Sequence, residues 1–252
     1  VIKFSHNISK IDQLSQKIKL SFEKNKDIEC DYLIISDGVF SKSKSLISNN
    51  QTKPRYNNTL AIRGTLTKVP DNIDDKNISL FLGSNFHHVI YPVNPNGDLN
   101  FIAIMKYQLS AEEKKNYSLF NENFFIKKVL DKIPLKIKEF SNNFKEVKIF
   151  PVFVSDDFYQ LQNNNIHLIG DAFFAFPPSF AQGASQSIEG AHELFKSIEN
   201  NTESNFFKNR TNKTKMVNIR SKFNQFAFHL SNPLTTFFRN IFLKRLVKNK
   251  KF

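Results

Sequence analysis

Glycine is scarce in this chain, and its spacing excludes two nucleotide-binding motifs. The seven glycines stand at positions 38, 64, 83, 97, 170, 183 and 190, so even the closest pair is seven residues apart. Neither the Gly-x-Gly-x-x-Gly turn of a dinucleotide-binding βαβ unit nor a phosphate-binding P-loop fits that spacing. The single cysteine excludes an intramolecular disulfide and a zinc site built from clustered cysteines. This cysteine usage is typical of a protein in the reducing cytoplasm.

Long apolar runs are also missing, and acidic residues are missing from the C-terminal part. No apolar run is long enough to span a membrane, and no signal peptide is recognisable at the N-terminus. Residues 204–252 contain twelve Lys or Arg and no Asp or Glu, while the other 203 residues carry 24 basic and 23 acidic side chains. The net charge of +13 therefore comes almost entirely from the tail.

Within this tail, apolar residues recur at steps of three and four, which predicts one face of an amphipathic helix. They are Met216, Ile219, Phe223, Phe226 and Leu230. The favoured interpretation is a helix that packs on the body of the protein with its basic residues in solvent. A membrane surface is the second interpretation, because Phe237-Phe238 precedes Lys244-Arg245. Nucleic-acid binding is the least favoured.

The rest of the chain alternates between β-rich and helical stretches. Strands are predicted over 59–69, 78–82, 87–93, 99–107 and 147–154, and helical structure over 120–142 with an interruption at Pro134. Ser110 and Glu113 have the spacing of a capping box. Such an alternation indicates a mixed α/β fold.

The most informative run covers residues 167–190. It begins as a buried strand, continues into Gly170-Asp171 and a loop with two prolines, and ends in a helix that begins at Gln182-Gly183. Asp171 can accept hydrogen bonds from hydroxyl groups. The helix N-terminus offers unpaired N–H groups and a partial positive charge. The run could therefore hold a polar cofactor at two points.

This run resembles the second flavin-binding motif of the FAD-dependent aromatic-ring monooxygenases, the family of salicylate, p-hydroxybenzoate and ubiquinone-pathway hydroxylases. The matching positions are Gly170, Asp171, Ala172, Pro178, Ala181, Gln182, Gly183, Ala184, Ile188, Glu189 and Ala191. Three positions depart from the family pattern: Phe173 and Phe174 replace an Ala-His pair, and Gly190 replaces an Asp.

A second motif supports the first. Residues 30–44 resemble the family's Asp-Gly motif, in which a short apolar strand leads to Asp37-Gly38 and then to serines and a basic residue. Ile35 stands where the family usually has glycine. Weaker matches include the Arg63-Gly64 strand and the Tyr91-Pro92 hairpin.

The resemblance implies an α/β FAD/NAD(P)-binding fold of the aromatic hydroxylase type. Residues 1–50 and 151–200 would be its FAD-binding parts, 51–150 an inserted antiparallel sheet that binds substrate, and 201–252 the basic C-terminal helices. Because the Gly-rich βαβ unit is absent and the chain opens on Val1, we expect a chain that lacks the N-terminal part of this fold.

The resemblance also implies the roles of individual residues. FAD would contact Asp37, Gly38, Gly170, Asp171, Ala172, Gln182, Gly183 and Ala184, and Pro178 would lie at the boundary between flavin and substrate as the single catalytic candidate. Phe81, Phe86, Tyr91 and Phe101 could line the substrate pocket or belong to the core, and Arg63 could contact a substrate carboxylate or face solvent. No metal site is expected.

The implied activity is FAD-dependent hydroxylation of a phenol or aromatic carboxylate with NAD(P)H and O2, since the cofactor carries the chemistry. Two alternatives stay open at this point. One is a non-catalytic remnant of the fold, and the other is a hydroxylase of polyprenylated phenols at a membrane surface. A cytoplasmic protein peripheral to the inner membrane face, a homodimer and no nucleic-acid partner are further expectations.

Overall fold

A computed structural model describes residues 1–15, 17–47, 53–66, 76–94, 97–134, 137–138, 143–161 and 163–248. In these ranges the strands are β1 (Ile8–Gln13), β2 (Ile18–Phe22), β3 (Ile28–Cys30), β4 (Leu33–Ile35), β5 (Arg55–Leu66), β6 (Ser79–Gly83), β7 (Phe86–Pro92), β8 (Leu99–Lys106), β9 (Phe144–Val154) and β10 (Ile166–Leu168). The α-helices are α1 (Lys42–Ile47), α2 (Asn123–Leu130), α3 (Gly170–Phe173), α4 (Gly183–Glu199), α5 (Glu203–Phe228) and α6 (Pro233–Lys248).

The chain divides into two compact units. The first, here called the motif unit, contains residues 1–55 and 153–221, and the second, the sheet unit, contains residues 56–152 and 222–252. Both flavin-type motifs lie in the motif unit. The mixed α/β class predicted from the alternating pattern is confirmed.

The motif unit contains an antiparallel meander, β1-β2-β3, and a parallel pair, β4 and β10. The strands of the parallel pair are short apolar runs, as expected where both faces of a strand are covered. Ile35 and Leu168 are opposite each other in the register, and both are at most 3% exposed. Phenylalanines 173 and 174 complete the core beside them.

The sheet unit is built on an antiparallel sheet whose described strands have the order β6-β7-β8-β5-β9. Its longest register pairs Thr59–Leu66 with Leu99–Lys106, and alternate residues of both strands enter one core with helix α2. Phe86 and Phe101 are 4% and 1% exposed and belong to this core, so the core interpretation holds for these two.

Several predicted boundaries shift. Strand β5 already begins at Arg55 and its described part ends at Leu66, while residues 67–69 of the predicted strand lie outside the described residues. Within the range 120–142 predicted as helical, α2 and residues 137–138 are helical. Residues 135–136 and 139–142 lie outside the described residues. Ser110 and Glu113 exchange the hydrogen bonds of a capping box, Glu113 N to Ser110 Oγ at 3.1 Å and Ser110 N to Glu113 Oε2 at 2.8 Å, but they close a turn instead of a helix.

The packing predicted for the tail helix is wrong. The helix forms as α5, yet Met216, Ile219, Phe223 and Phe226 are 58–67% exposed. Its buried residues are mainly polar, namely Phe206, Arg210, Thr211, Thr214 and Ser221. Helical spacing identifies residues that share a face, but it does not determine which face is covered. Among the described helices none is both long and apolar enough to cross a membrane.

Candidate functional site

The two motifs meet because β4 and β10 are parallel neighbours. Parallel strands end at the same edge of a sheet, and the backbone N–H of Ile169 donates to the carbonyl of Ile35 at 3.0 Å. Asp37-Gly38 and Gly170-Asp171 therefore start level with each other, each two residues after the last paired residue of its strand, Ile35 and Leu168. The carboxyl ends of parallel strands are where α/β folds bind their ligands.

At the first motif, Asp37 and Gly38 form the turn that leads into α1. Gly38 has φ +85°, and a Cβ placed on it would meet nothing within 4 Å, so glycine is needed here for its backbone conformation. The Asp37 carboxylate accepts from the backbone N–H of Ser43 at 3.0 Å. Desolvation raises the pKa of Asp37, but hydrogen bonds from Ser41 and Ser43 outweigh it, so that the pKa lies below its usual value. Asp37 thus stays ionised and caps α1.

At the second motif, Gly170 adopts φ +59°, and the Asp171 carboxyl lies in the first turn of α3. Solvent reaches Asp171, yet desolvation by the protein around its carboxyl raises the pKa above the usual range. Because the carboxylate is accessible, it could accept a hydrogen bond from a ligand hydroxyl. A Cβ at Gly170 would also lie 3.1 Å from Ser187 Oγ. Glycine is therefore favoured here both by the positive φ and by the lack of space for a side chain.

The N-terminus of α4 faces open space. Gln182 precedes the helix and provides no side-chain cap, and Gly183 is its first residue. A Cβ on Gly183 would meet nothing within 4 Å, and Gly183 and Ala184 are exposed. A 17-residue helix with an uncapped N-terminus can stabilise negative charge on a neighbouring group.

Pro178 lies in the loop between the two halves of the second motif. It is the first residue of a short 3-10 helix, Pro178–Phe180, and it is exposed. Its carbonyl accepts from the backbone N–H of Ala181 at 3.0 Å, and Ala181 takes a left-handed conformation with φ 52°. The loop is thus held in a defined shape by its own backbone.

The two phenylalanines that depart from the family pattern serve the core. Phe174 is 2% exposed and stacks on Phe158 with ring centroids 4.2 Å apart. Phe173 contacts Phe158, Phe206 and Phe207 with centroid distances of 5.7–6.3 Å. Where the family pattern has a polar histidine, this chain therefore has an aromatic cluster beneath the loop.

Lys44 joins the two motifs, and sequence reasoning noted it only as the basic residue of the Asp-Gly pattern. It is 8% exposed, and its Nζ donates to the carbonyl of Ala172 at 3.4 Å. Burial lowers the pKa of Lys44, while the charge of Asp37 acts in the opposite direction. A buried cation beside both loops adds positive potential where an anionic cofactor would lie.

Arg210 explains the third departure, Gly190. The guanidinium is 5% exposed and pairs with Glu189 and Glu193 at 3.2 and 3.3 Å, and it also donates to the carbonyl and side chain of Gln186. A Cβ on Gly190 would lie 3.1 Å from Arg210 Nε. Arg210 on α5 thus anchors the first half of α4, whose N-terminus belongs to the candidate site. No local signal around residue 190 identifies a partner 20 positions away.

Replacing Gly190 with alanine is expected to destabilise the protein by about 1 kcal/mol. The added methyl displaces a guanidinium that four hydrogen bonds hold in place, which outweighs the better helix propensity of alanine. Urea denaturation measures the free energy of unfolding. Gly183→Ala is the control because space is open there, and an equal effect of both variants would contradict the anchoring role of Arg210.

The remaining candidates lie in the sheet unit. Arg63 on β5 is exposed, and Tyr91 and Phe81 are partly buried on β7 and β6, so a role in substrate contact stays a prediction for these three. Among the described residues, no three His, Cys, Asp or Glu side chains lie together in a way that could hold a metal ion.

A family model described as "FAD binding domain" matches residues 3–203. Among curated relatives, a chloroplastic zeaxanthin epoxidase from an Oncidium hybrid cultivar is 24% identical over 187 residues, 73% of this chain and 27% of its own length. Salicylate hydroxylase from Pseudomonas putida is 22% identical over 222 residues, 77% of this chain and 48% of its own length. The chain thus spans between about a quarter and a half of these relatives.

Solved structures show the same fold at lower identity. A variant of Klebsiella pneumoniae HpxO in complex with FAD has a TM-score of 0.75 at 13% identity, covering 92% of this chain and 61% of that one. A salicylate hydroxylase substrate complex has a TM-score of 0.72 at 14% identity, covering 98% and 68%.

Proposed function

Because the chain belongs to the FAD-binding domain family, we propose that it acts in an FAD-dependent monooxygenase that hydroxylates an aromatic ring with NAD(P)H and O2. The observation that carries this proposal is the pairing of β4 with β10. It brings Asp37-Gly38 to the same sheet edge as Gly170-Asp171, next in sequence to the loop that leads to the uncapped N-terminus of α4.

The residues present suit FAD. The cofactor offers ribityl hydroxyl donors, phosphate oxygens and a ring system that takes up negative charge, and the site offers an acceptor, a buried cation and a positive helix end. Two glycines, Gly38 and Gly183, leave space where a side chain would block close approach. When bound, the flavin supplies the redox chemistry with NAD(P)H and O2.

The chain's own residues would bind the cofactor and orient it toward the substrate. Asp171 would accept a ribityl hydroxyl, and the first-turn amides of α4 would stabilise negative charge on the ring. Asp37, fixed as the cap of α1, would hold the turn at Gly38 against the pyrophosphate and ribose. Pro178 would border the substrate. Ala172 would contribute indirectly, because its carbonyl is the acceptor for Lys44.

A phenol or an aromatic carboxylate is the proposed substrate class. A relative, salicylate hydroxylase, and a structural neighbour, 2,6-dihydroxypyridine-3-hydroxylase, support an electron-rich ring. The structural neighbour in complex with uric acid supports a small planar heterocycle as a variant of the same class.

The test is substrate-stimulated oxidation of NADH and of NADPH by the protein loaded with FAD. Phenols and aromatic carboxylates are added singly, and chromatography identifies the hydroxylated product. The proposal predicts stimulation by at least one ring, with product formed in step with nucleotide consumed. FAD binding without stimulation by any compound would favour the non-catalytic remnant instead.

A second proposal concerns the basic tail. Beyond Glu203, the first residue of α5, helices α5 and α6 expose many large apolar residues and contain no acidic residue, which supports peripheral contact with a membrane. A polyprenylated phenol would then be the substrate variant reached from that surface. The homodimer and the cytoplasmic location stay predictions.

A further inference from the structure

Helix α6 turns its apolar side to solvent. At 100° per residue, Thr236, Arg239, Leu243 and Leu246 share one side, and these are its half-buried residues. The opposite side carries Leu234, Phe237, Phe238, Ile241 and Phe242, which are 38–65% exposed, and continues into the exposed Arg245. Exposed apolar residues that occur singly are ordinary, but a contiguous group of this size marks an interaction surface.

The position of this helix is fixed by its connection to α5. Arg239 Nη1 donates to the carbonyls of Ala227 and Phe228, at 3.2 and 3.4 Å, so a cation satisfies the C-terminal end of α5. Asn232 Oδ1 caps α6 by accepting from the N–H of Leu234 at 2.9 Å. The exposure of the phenylalanines therefore follows from a defined helical hairpin.

An open cavity of about 650 Å³ lies at the same hairpin. It is lined by Lys106, Lys222, Asn85, Gln225, Phe226 and Asn232, among others, and none of its lining residues is acidic. Two lysines and several amides without a carboxylate suit an anionic oxygen-rich group. Phe226, itself 66% exposed, is one of the lining residues.

The charge of the segment points to the partner. The hairpin residues of the sheet unit, 222–248, contain five basic and no acidic residues, so two copies of this surface would repel each other. An apolar face flanked by cations is the composition of helices that lie in the interface of an anionic bilayer. A nucleic acid would leave the five apolar side chains without a partner.

We propose that the α5–α6 hairpin docks on a bilayer that contains anionic phospholipids. The phenylalanines of α6 enter the boundary between headgroups and acyl chains, and the cavity with Lys106 and Lys222 receives a headgroup phosphate. This inference deepens the membrane contact proposed above and rests on it. It does not depend on flavin chemistry, since all the residues involved lie in the sheet unit.

The experiment is co-sedimentation with vesicles of phosphatidylcholine alone and of phosphatidylcholine mixed with phosphatidylglycerol, at low and high salt. We expect binding to the mixed vesicles only, with loss of affinity at high salt. The double variant Phe237→Ser, Phe238→Ser should bind at least about tenfold more weakly, because two aromatic side chains no longer leave water. Lys222→Gln should bind more weakly and with a smaller salt dependence.

Phe195→Ser is the matched control, because Phe195 is 59% exposed on α4, outside the hairpin. Circular dichroism of each variant verifies folding. The proposal is overturned by equal binding to both vesicle types, by an unchanged double variant, or by dimers in light scattering without vesicle binding. Binding of inorganic phosphate that persists in the double variant, without vesicle binding, would assign the cavity to a free anion. Vesicle binding is measured without aromatic substrate, so its failure leaves the hydroxylase proposal untouched.

Discussion

Replacing Asp171 with alanine is expected to weaken FAD binding by about 10- to 100-fold, the usual cost of removing a charged hydrogen-bond acceptor from a ligand hydroxyl. The carboxylate is exposed at the candidate site and has space to accept a ligand hydroxyl, while the protein around it raises its pKa. Fluorescence titration of FAD measures the effect, and Asp131→Ala, which removes an exposed carboxylate after α2, is the control.

The same carboxylate that would strengthen FAD binding is expected to lower the free energy of unfolding of the protein without FAD. A carboxyl whose folded pKa lies above its unfolded value of about 3.9 is penalised when ionised, so stability falls as the pH rises through this window. Asp171→Asn removes the charge. This variant should raise the free energy of unfolding at neutral pH and leave it unchanged below pH of about 3.

The FAD titration has its own contradicting outcome. Unchanged FAD affinity in Asp171→Ala would remove Asp171 from the site.

Acidification is expected to unfold the sheet unit through the buried His87 and His88 and the half-buried His229. Burial lowers the pKa of His87 to about 3, with contributions from His229 and His88, and burial lowers the pKa of His88 and of His229 to about 4. His87 Nδ1 and His229 Nε2 are 2.8 Å apart, so the neutral pair shares one proton between these nitrogens. Protonation of both rings would break this contact.

The sign follows from the lowered values. In the unfolded chain these rings take up protons below pH of about 6.5, whereas in the folded protein they do so only near pH 3 to 4. Stability is therefore complete above pH of about 6.5 and declines as the pH falls, by about 1.4 kcal/mol per pH unit for each histidine. The loss between pH 6.5 and 4.5 amounts to several kcal/mol.

Urea denaturation across this range measures the slope. His88 stacks against Phe81 with centroids 4.4 Å apart, and among the described residues its buried Nδ1 has no hydrogen-bond partner. His88→Phe should therefore reduce the slope by about a third and stabilise the protein at low pH. His192→Gln, which removes an exposed histidine of α4, is the control. A slope unaffected by His88→Phe would contradict this assignment.

Much of the motif unit could be predicted from the sequence, because its information is local. An apolar run followed by an Asp-Gly or a Gly-Asp turn marks the end of a strand. Because parallel strands end at the same edge of a sheet, the two turns come together. The strands of the sheet unit were likewise predictable from alternation and turn residues, with boundary shifts of a few positions at β5 and β9.

What could not be predicted depends on contacts distant in sequence. The departure at Gly190 has a reason only once Arg210 lies over it, and His87 finds its partner 142 residues later. The apolar residues of α5 were predicted to lie on the covered face. That face is instead occupied mainly by a buried arginine, which has hydrogen-bond partners, and by small hydroxyl side chains. Local periodicity contains none of this information.

The most direct test of the site is a titration of the protein with FAD, FMN and ADP, followed by flavin absorbance and fluorescence. The motifs present would hold the ring, the ribityl chain and the pyrophosphate, but the chain has no Gly-x-Gly-x-x-Gly turn for the adenosine part. We therefore predict saturable binding of one FAD per chain, displaced more effectively by FMN than by ADP. Absence of flavin binding, or displacement of FAD by ADP as effectively as by FMN, would contradict the account.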